Sequence, residues 1–139
     1  MPMRILAVDY GKKRTGLAIA DDEVRIAAPL QTVHTSDRSA LVEAVAEVVE
    51  REEVGRVVLG LPLNMNGTEG PMVEAVRALA EALRQRTGVP VDLFDERLTS
   101  HAAEGHLAGT PFTKAQRKRR VDALAAMVLL QSFLDAPGN

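Results

Sequence analysis

The sequence is 139 residues long, with 46% apolar and 26% charged residues, a formal net charge of −2 and no cysteine. This balance predicts one globular domain over residues 1–139 and excludes a disordered chain, a disulfide framework and a thiolate metal site. A net charge near zero gives no overall attraction to nucleic acid or to an anionic membrane, so any attraction must come from local clusters. No apolar stretch resembles a signal peptide or a membrane span, which predicts a soluble cytoplasmic protein without a membrane partner.

The N-terminal half predicts three strands and one helix. Apolar runs at residues 5–9 and 15–20, joined by the turn-prone YGKKR, are typical of a hairpin. A third strand is predicted within residues 25–33, where the proline requires an edge or a bend. Ser36 or Asp37 can cap the following helix, whose apolar residues repeat at 3.6-residue spacing.

The C-terminal half predicts two further strands, each followed by a helix. Residues 56–62 are typical of a buried strand, and Pro71, beyond a loop rich in glycine and asparagine, suits the first turn of a helix. A strand is predicted over 91–96 and a strongly apolar helix over 121–134. The order β, β, β, α, β, α, β, α predicts an α/β domain whose mixed five-stranded sheet is flanked by helices.

Acidic residues stand at the ends of predicted elements. Asp9 ends the first strand, Asp95 and Glu96 end the last, and Asp122 opens the final helix. Because the ends of neighbouring parallel strands meet at one edge of a sheet, we expect these carboxylates to converge. In a chain without cysteine, converging carboxylates suit a hard cation such as Mg²⁺, and a pair of such ions can activate water against a phosphodiester. The pattern therefore predicts a metal site.

Each acid also has a structural interpretation. Asp9 could form a turn at the end of its strand. Asp95 or Glu96 could cap a helix that begins near Thr99 or pair with Arg97. Asp122 could pair with a nearby cation such as Lys118 or Arg119, or be favoured by its place at a helix N-terminus. Spacing alone leaves these alternatives open.

Two basic clusters adjoin the predicted ligands. GKKR at 11–14 follows Asp9, and KAQRKRR at 114–120 precedes Asp122. A charge run is usually a solvated surface, but clusters beside acidic metal ligands are also suited to contact the phosphates of a nucleic acid. Aromatic residues make up only 3% of the chain, which disfavours an aromatic platform for base stacking.

Four motifs carry a resemblance to a known family. VDYGKKRTGLAIAD, GLPLNMNGTEGP, DERLTS and VDALAAMVLLQSFL, in this order over nearly the whole chain, resemble the YqgF family, also called RuvX. The resemblance implies a ribonuclease H-like fold and a bacterial cytoplasmic nuclease related to Holliday-junction resolvases. It assigns the acids of the site to Asp9, Glu96 and Asp122, and so favours Glu96 over Asp95. Asn66, where family members are expected often to carry Asp, weakens any metal-binding role for its loop.

The activity implied by the resemblance is phosphodiester hydrolysis by a metal-activated water, with one or two Mg²⁺ or Mn²⁺ ions. Asp9 would bridge the ions, while Glu96 and Asp122 would hold one each. Two substrates remain open: the precursor of 16S rRNA, a structured RNA cut during maturation of its 5′ end, and branched DNA in the form of four-way junctions. A monomer or weak homodimer is expected. The residues expected to contact phosphates are Lys12, Lys13, Arg14, Arg97, Arg117, Lys118, Arg119 and Arg120.

Two other functions compete with a nuclease. Asp9, Gly11 and Gly16 spell D-x-G-x-x-x-x-G, which resembles the phosphate and Mg²⁺ site of actin-like ATPases and sugar kinases. A chain of 139 residues lacks the second lobe of the cleft in those enzymes. The other alternative is a non-catalytic module that binds nucleic acid or assists ribosome assembly, which would bind without cleaving.

Overall fold

The computed structural model describes residues 2–99 and 121–137, and within these ranges the elements follow the predicted order. The strands are β1 (Arg4–Asp9), β2 (Arg14–Asp21), β3 (Ala28–His34), β4 (Val54–Leu61) and β5 (Val91–Asp95). The helices are α1 (Arg38–Arg51), α2 (Pro71–Thr87) and α3 (Val121–Asp135). No helix of the described ranges is long and apolar enough to cross a membrane.

The five strands form one mixed sheet in the order β3-β2-β1-β4-β5. The hairpin of β1 and β2 and the pairing of β2 with β3 are antiparallel, whereas β1, β4 and β5 run parallel. Pro29 lies in the edge strand β3, next to a register shift in its pairing with β2, as the missing N–H of proline requires. Because β1, β4 and β5 are parallel, they all end on the same side of the sheet, called here its carboxyl end, and begin at its amino end.

Local signals explain where the first two helices begin and end. Oδ2 of Asp37 accepts a hydrogen bond of 3.0 Å from the backbone N of Ala40, so Asp37 caps α1. Pro71 is the first residue of α2, where no intrahelical N–H is needed. Gly88 ends α2 in the left-handed conformation, with φ of 74°.

Alternating side chains divide the core between the two faces of the sheet. In β1, Leu6 and Val8 pack against α1 and α2, whereas Ile5 and Ala7 pack on the opposite face against α3. Full burial of a leucine-sized side chain stabilises the fold by roughly 1.5–3 kcal/mol, so both apolar layers hold the sheet firmly. The central strand β1 is thereby covered on both faces, and its last residue, Asp9, has the same orientation as Ile5 and Ala7.

Candidate active site

The carboxyl end of the sheet brings Asp9 and Glu96 together. Asp9 is the last residue of the central strand β1, and Glu96 follows β5 immediately. Since β1, β4 and β5 are parallel neighbours in that order, both acids lie at the place where open α/β sheets usually carry their sites. Both side chains are half-buried.

The contact between the two acids changes the protonation of both. Burial, followed by the charge of Glu96 and a hydrogen bond with it, raises the pKa of Asp9 to about 7. Burial also raises the pKa of Glu96; the hydrogen bond from Asp9 opposes this shift, and the charge of Asp95 adds to it. A carboxyl that is protonated near neutral pH can donate to its neighbour, so the pair shares a proton when no cation lies between them.

The alternation of side chains along β5 directs Glu96 toward Asp9. Phe94 faces α3 and packs edge-on against Phe133, with ring centroids 5.7 Å apart. Glu96 lies two residues further on and therefore keeps the orientation of Phe94 toward the α3 face.

Asp95 has a structural role instead. Its Oδ1 accepts a hydrogen bond of 2.9 Å from the backbone N of Arg97 and so caps a single 3₁₀ turn, Glu96–Leu98. Its Oδ2 also pairs with the Arg97 guanidinium at 2.6 Å, and this hydrogen bond lowers the pKa of Asp95. The predicted pairing with Arg97 thus belongs to Asp95, and the turn that Asp95 caps begins at Glu96 rather than near Thr99.

Two glycines make room for the acids around Asp9. Gly16 pairs with Asp9 across β1 and β2, and a Cβ atom on Gly16 would lie 1.8 Å from the backbone oxygen of Asp122. A Cβ atom on Gly60, in β4, would lie 2.3 Å from Oε1 of Glu96. Neither role was predicted from the sequence, although a glycine inside a strand is a known signal of close approach by another group.

Asp122 stands in the first turn of α3 and borders the acid pair. Its charge contributes to the raised pKa of Asp9. Its carboxylate is partly exposed and forms an ion pair with Arg14, with 3.4 Å between Nε and Oδ2. The cation that pairs with Asp122 in the described residues therefore comes from the first residue of β2.

The three acids offer oxygen donors to a divalent cation. In the described part of the chain, no three aspartate, glutamate or histidine side chains are grouped so that they could hold one metal ion. Two oxygen donors, Asp9 and Glu96, are in contact, and the charge of the third, Asp122, reaches Asp9. Carboxylate oxygens crowded in this way, with a raised pKa, fit a hard cation that takes few protein ligands and keeps several waters.

The predicted phosphate contacts have different surroundings. Lys12, Lys13 and Arg14 are exposed in and after the turn that follows Asp9. Arg97 is engaged with Asp95 and donates a hydrogen bond of 3.4 Å to the backbone oxygen of a loop methionine, Met65. The remaining predicted contacts lie outside the described residues: Arg117, Lys118, Arg119 and Arg120.

The loop that contains Asn66 is held by its own hydrogen bonds. Oδ1 of Asn66 accepts from the backbone N of Thr68 at 3.0 Å and from its hydroxyl at 2.6 Å. An isolated bridge between Leu63 and Glu69 closes the loop. Asn66 therefore has a local role in shaping the loop.

Comparison with known proteins decides the family. The family model described as "RuvX: Holliday junction resolvase" matches residues 3–136. The chain belongs to the RuvX family. This RuvX chain is 48% identical over 133 residues to a protein of Anaeromyxobacter sp. (strain Fw109-5), covering 96% of this chain and 97% of the relative. It is 43% identical to a protein of Chloroflexus aurantiacus (strain J-10-fl), covering 95% and 86% of the two chains. Both relatives carry the name "Putative pre-16S rRNA nuclease".

Solved structures show the same fold at low sequence identity. RuvC of T. thermophilus, in a complex with a Holliday junction substrate, aligns with a TM-score of 0.61 at 17% identity, over 94% of this chain and 91% of that one. The Fowlpox virus resolvase aligns with a TM-score of 0.59 at 13% identity, over 99% and 100%. The predicted ribonuclease H-like fold is confirmed. Family membership identifies this RuvX protein as a nuclease, a hydrolase of phosphodiester bonds.

Proposed function

We propose that this RuvX protein is a metal-dependent nuclease that cleaves the precursor of 16S rRNA during maturation of its 5′ end. The observation that carries the proposal is the contact between Asp9 and Glu96, two half-buried acids at the carboxyl end of the sheet. The names of relatives 43–48% identical over nearly the whole chain support the choice of RNA. The structure of the site alone supports phosphodiester hydrolysis without choosing the nucleic acid.

The metal ligands in this proposal are Asp9, Glu96 and Asp122. One or two Mg²⁺ or Mn²⁺ ions would supply a water of lowered pKa and stabilise charge on the leaving oxygen. The chain contributes the shape of the site: Gly16 and Gly60 allow the first turn of α3 and the side chain of Glu96 to approach Asp9. Deprotonation of Asp9, whose pKa is about 7, prepares the acid pair to accept a cation near neutral pH.

Exposed cations beside Asp9 would hold the phosphate backbone. Lys12, Lys13 and Arg14 begin three residues after Asp9 and are exposed to solvent. Charge-assisted contacts of this kind position a nucleic acid without reading its sequence. We extend the same role to Arg97 and to residues 117–120, which precede Asp122 in the chain.

Resolution of four-way DNA junctions is the second candidate. The description of the matching family as a Holliday junction resolvase favours it specifically. The same carboxylates would serve both substrates, because hydrolysis of a phosphodiester requires the same charge stabilisation in RNA and in DNA.

A cleavage assay distinguishes these functions. Purified protein is incubated with an RNA that spans the 5′ boundary of 16S rRNA in its precursor, and separately with a four-way DNA junction, in Mg²⁺, Mn²⁺ or EDTA. We expect cleavage of the RNA that depends on the cation, and a loss of at least about a hundredfold in Asp9→Asn, which keeps its circular dichroism spectrum.

Glu43→Gln is the matched control, since Glu43 is an exposed acid that pairs with Arg86 on the helices covering the opposite face. It should cleave at the wild-type rate. An Asp9→Asn variant as active as Glu43→Gln would contradict the assignment of the site. Cleavage of the junction with the RNA left intact would favour the second candidate, and binding of either substrate without cleavage would favour the non-catalytic module.

A further inference from the structure

The ion pair between Arg14 and Asp122 joins a proposed phosphate contact to a proposed metal ligand. Nε of Arg14 lies 3.4 Å from Oδ2 of Asp122. The same carboxylate is near enough to Asp9 for its negative charge to disfavour ionisation of Asp9. One guanidinium therefore neutralises the acid that borders the Asp9 and Glu96 pair.

The backbone of Arg14 is held firmly, whereas its side chain is largely exposed. Arg14 begins β2, where it pairs in register with His34 of β3. Its carbonyl oxygen is packed so closely on Gly11 that a Cβ atom there would lie 2.2 Å away, and the next residue, Thr15, is fully buried. The side chain of Arg14 is 59% exposed. A turn of this side chain away from Asp122 would need no change in the sheet.

A phosphate is the stronger partner for this guanidinium. An exposed ion pair contributes little to stability because water and salt screen it. A guanidinium binds phosphate through two parallel hydrogen bonds, which strengthens the contact and fixes its direction. Lys12 and Lys13 are exposed in the preceding turn and would bring a backbone phosphate close to Arg14. Asp122 would then lose the cation that neutralises it, beside Asp9.

We propose that Arg14 is a positioning residue that occupies Asp122 in the free protein and releases it when a backbone phosphate takes the guanidinium, so that nucleic-acid binding and cation binding favour each other. The inference rests on the proposed function and adds an order of events to it. Asp122 becomes available as a metal ligand when a phosphate of the substrate has bound Arg14.

The first test measures cation binding without nucleic acid. Mn²⁺ is titrated calorimetrically into wild type, Arg14→Gln and Arg86→Gln. Arg14→Gln frees Asp122 and should bind Mn²⁺ roughly fivefold more tightly than wild type, the size expected when one exposed ion pair is removed. Arg86→Gln removes the same charge from another exposed ion pair, with Glu43, on the opposite face and should stay within about twofold of wild type.

The second test measures RNA binding in EDTA, where no cation contributes. Fluorescence anisotropy with the precursor RNA is recorded for wild type, Asp122→Asn, Arg14→Gln and the double variant. Asp122→Asn releases Arg14 and should strengthen binding by roughly fivefold, but by less than about twofold when Arg14 is already Gln. This cycle separates release of Arg14 from the general loss of one negative charge, which would strengthen binding equally in both backgrounds.

Equal Mn²⁺ affinities of wild type and Arg14→Gln, or an RNA cycle in which the two substitutions are additive, would overturn the role of Arg14. If neither protein binds Mn²⁺, the proposed metal-dependent function itself fails, and the inference fails with it. The first two results leave the proposed function intact, so the two failures are distinguishable.

Discussion

The acids at the two ends of the sheet have opposite kinds of partner. At the amino end, Asp92 of β5 pairs with Arg56 of the neighbouring strand β4. At the carboxyl end, Asp9 of β1 meets another acid, Glu96, and burial is the main cause that raises the pKa of both. The first arrangement satisfies the charge of the carboxylate and lowers its free energy. In the second arrangement, burial disfavours the charged form of both carboxyl groups.

This difference separates a stabilising acid from a functional one. Carboxylates crowded together without a cation between them cost free energy in the folded protein and are typical of sites where a ligand supplies the missing charge. The cost is local, because the apolar layers on both faces of the sheet stabilise the fold independently of these acids.

Gly16→Ala should have the largest effect. Its Cβ would meet the backbone of α3 at Asp122, which cannot move without displacing the helix, so we expect unfolding to become easier by about 3 kcal/mol. Gly55→Ala, near the amino end, is the control. The close contacts of its Cβ would be with the side chain of Met3, at 2.8 Å from Cγ, and Met3 is an exposed residue whose side chain can turn aside. Urea denaturation of both variants measures the difference, and equal losses would contradict tight packing at the carboxyl end.

The pH dependence of stability follows from the raised pKa of Asp9. Folded Asp9, with a pKa of about 7, holds a proton that the unfolded chain releases near the ordinary value of 3.8, so stability falls as pH rises between these values. Between pH 5 and 8 we expect a loss of about 2 kcal/mol in EDTA. The pKa of Glu96 is also raised, so Glu96 contributes a further loss of stability as pH rises. The lowered pKa of Asp95 changes stability only in more acid solution.

Denaturation of wild type and Asp9→Asn in EDTA at these two pH values measures this loss. The variant cannot titrate at residue 9 and should lose less stability than wild type on going to pH 8. An equal loss in the two proteins would show that the acid pair does not share a proton. In saturating Mn²⁺, wild type and Asp9→Asn should lose the same stability between the two pH values, since a bound cation replaces the proton on Asp9.

Gly60→Ala should reduce cleavage more than it reduces stability. The added Cβ would push against Oε1 of Glu96 at 2.3 Å, and a side chain can move where a backbone cannot. We expect a loss of roughly tenfold in the rate of cleavage, because a misplaced ligand weakens the site. Steady-state cleavage assays beside urea denaturation separate the two effects. A Gly60→Ala variant that unfolds easily but cleaves at the wild-type rate would contradict this prediction.

Asp92→Asn should have the smallest effect. Removal of its charge weakens a partly exposed ion pair with Arg56, which we expect to cost about 1 kcal/mol or less. Cleavage and its pH dependence should stay at wild-type values, because Asp92 lies at the other end of the sheet from Asp9. A loss of cleavage comparable to that of Asp9→Asn would show that the two ends are not functionally separate.

Local patterns in the sequence were sufficient for most of the fold. Runs of apolar residues with turn signals between them predicted all five strands, and the proline predicted to require an edge or a bend lies in an edge strand. A cap at Ser36 or Asp37 and the start of α2 at Pro71 were also predicted, since each depends on hydrogen bonds within a few residues, and the structure shows that Asp37 is the cap. Boundaries differ from the predicted ones by a few residues, because pairing between strands extends beyond the apolar runs.

From the amino-acid sequence, acids could be placed at the ends of strands and at the start of the last helix. Their partners emerge only in the folded chain, where Glu96 meets Asp9, Asp95 binds Arg97 and Arg14 faces Asp122. The folded chain also explains Gly16 and Gly60, which leave space for groups distant in the chain. The physical reason is that these contacts depend on strand order, register and the packing of α3 on the sheet, which join residues that no local periodicity relates.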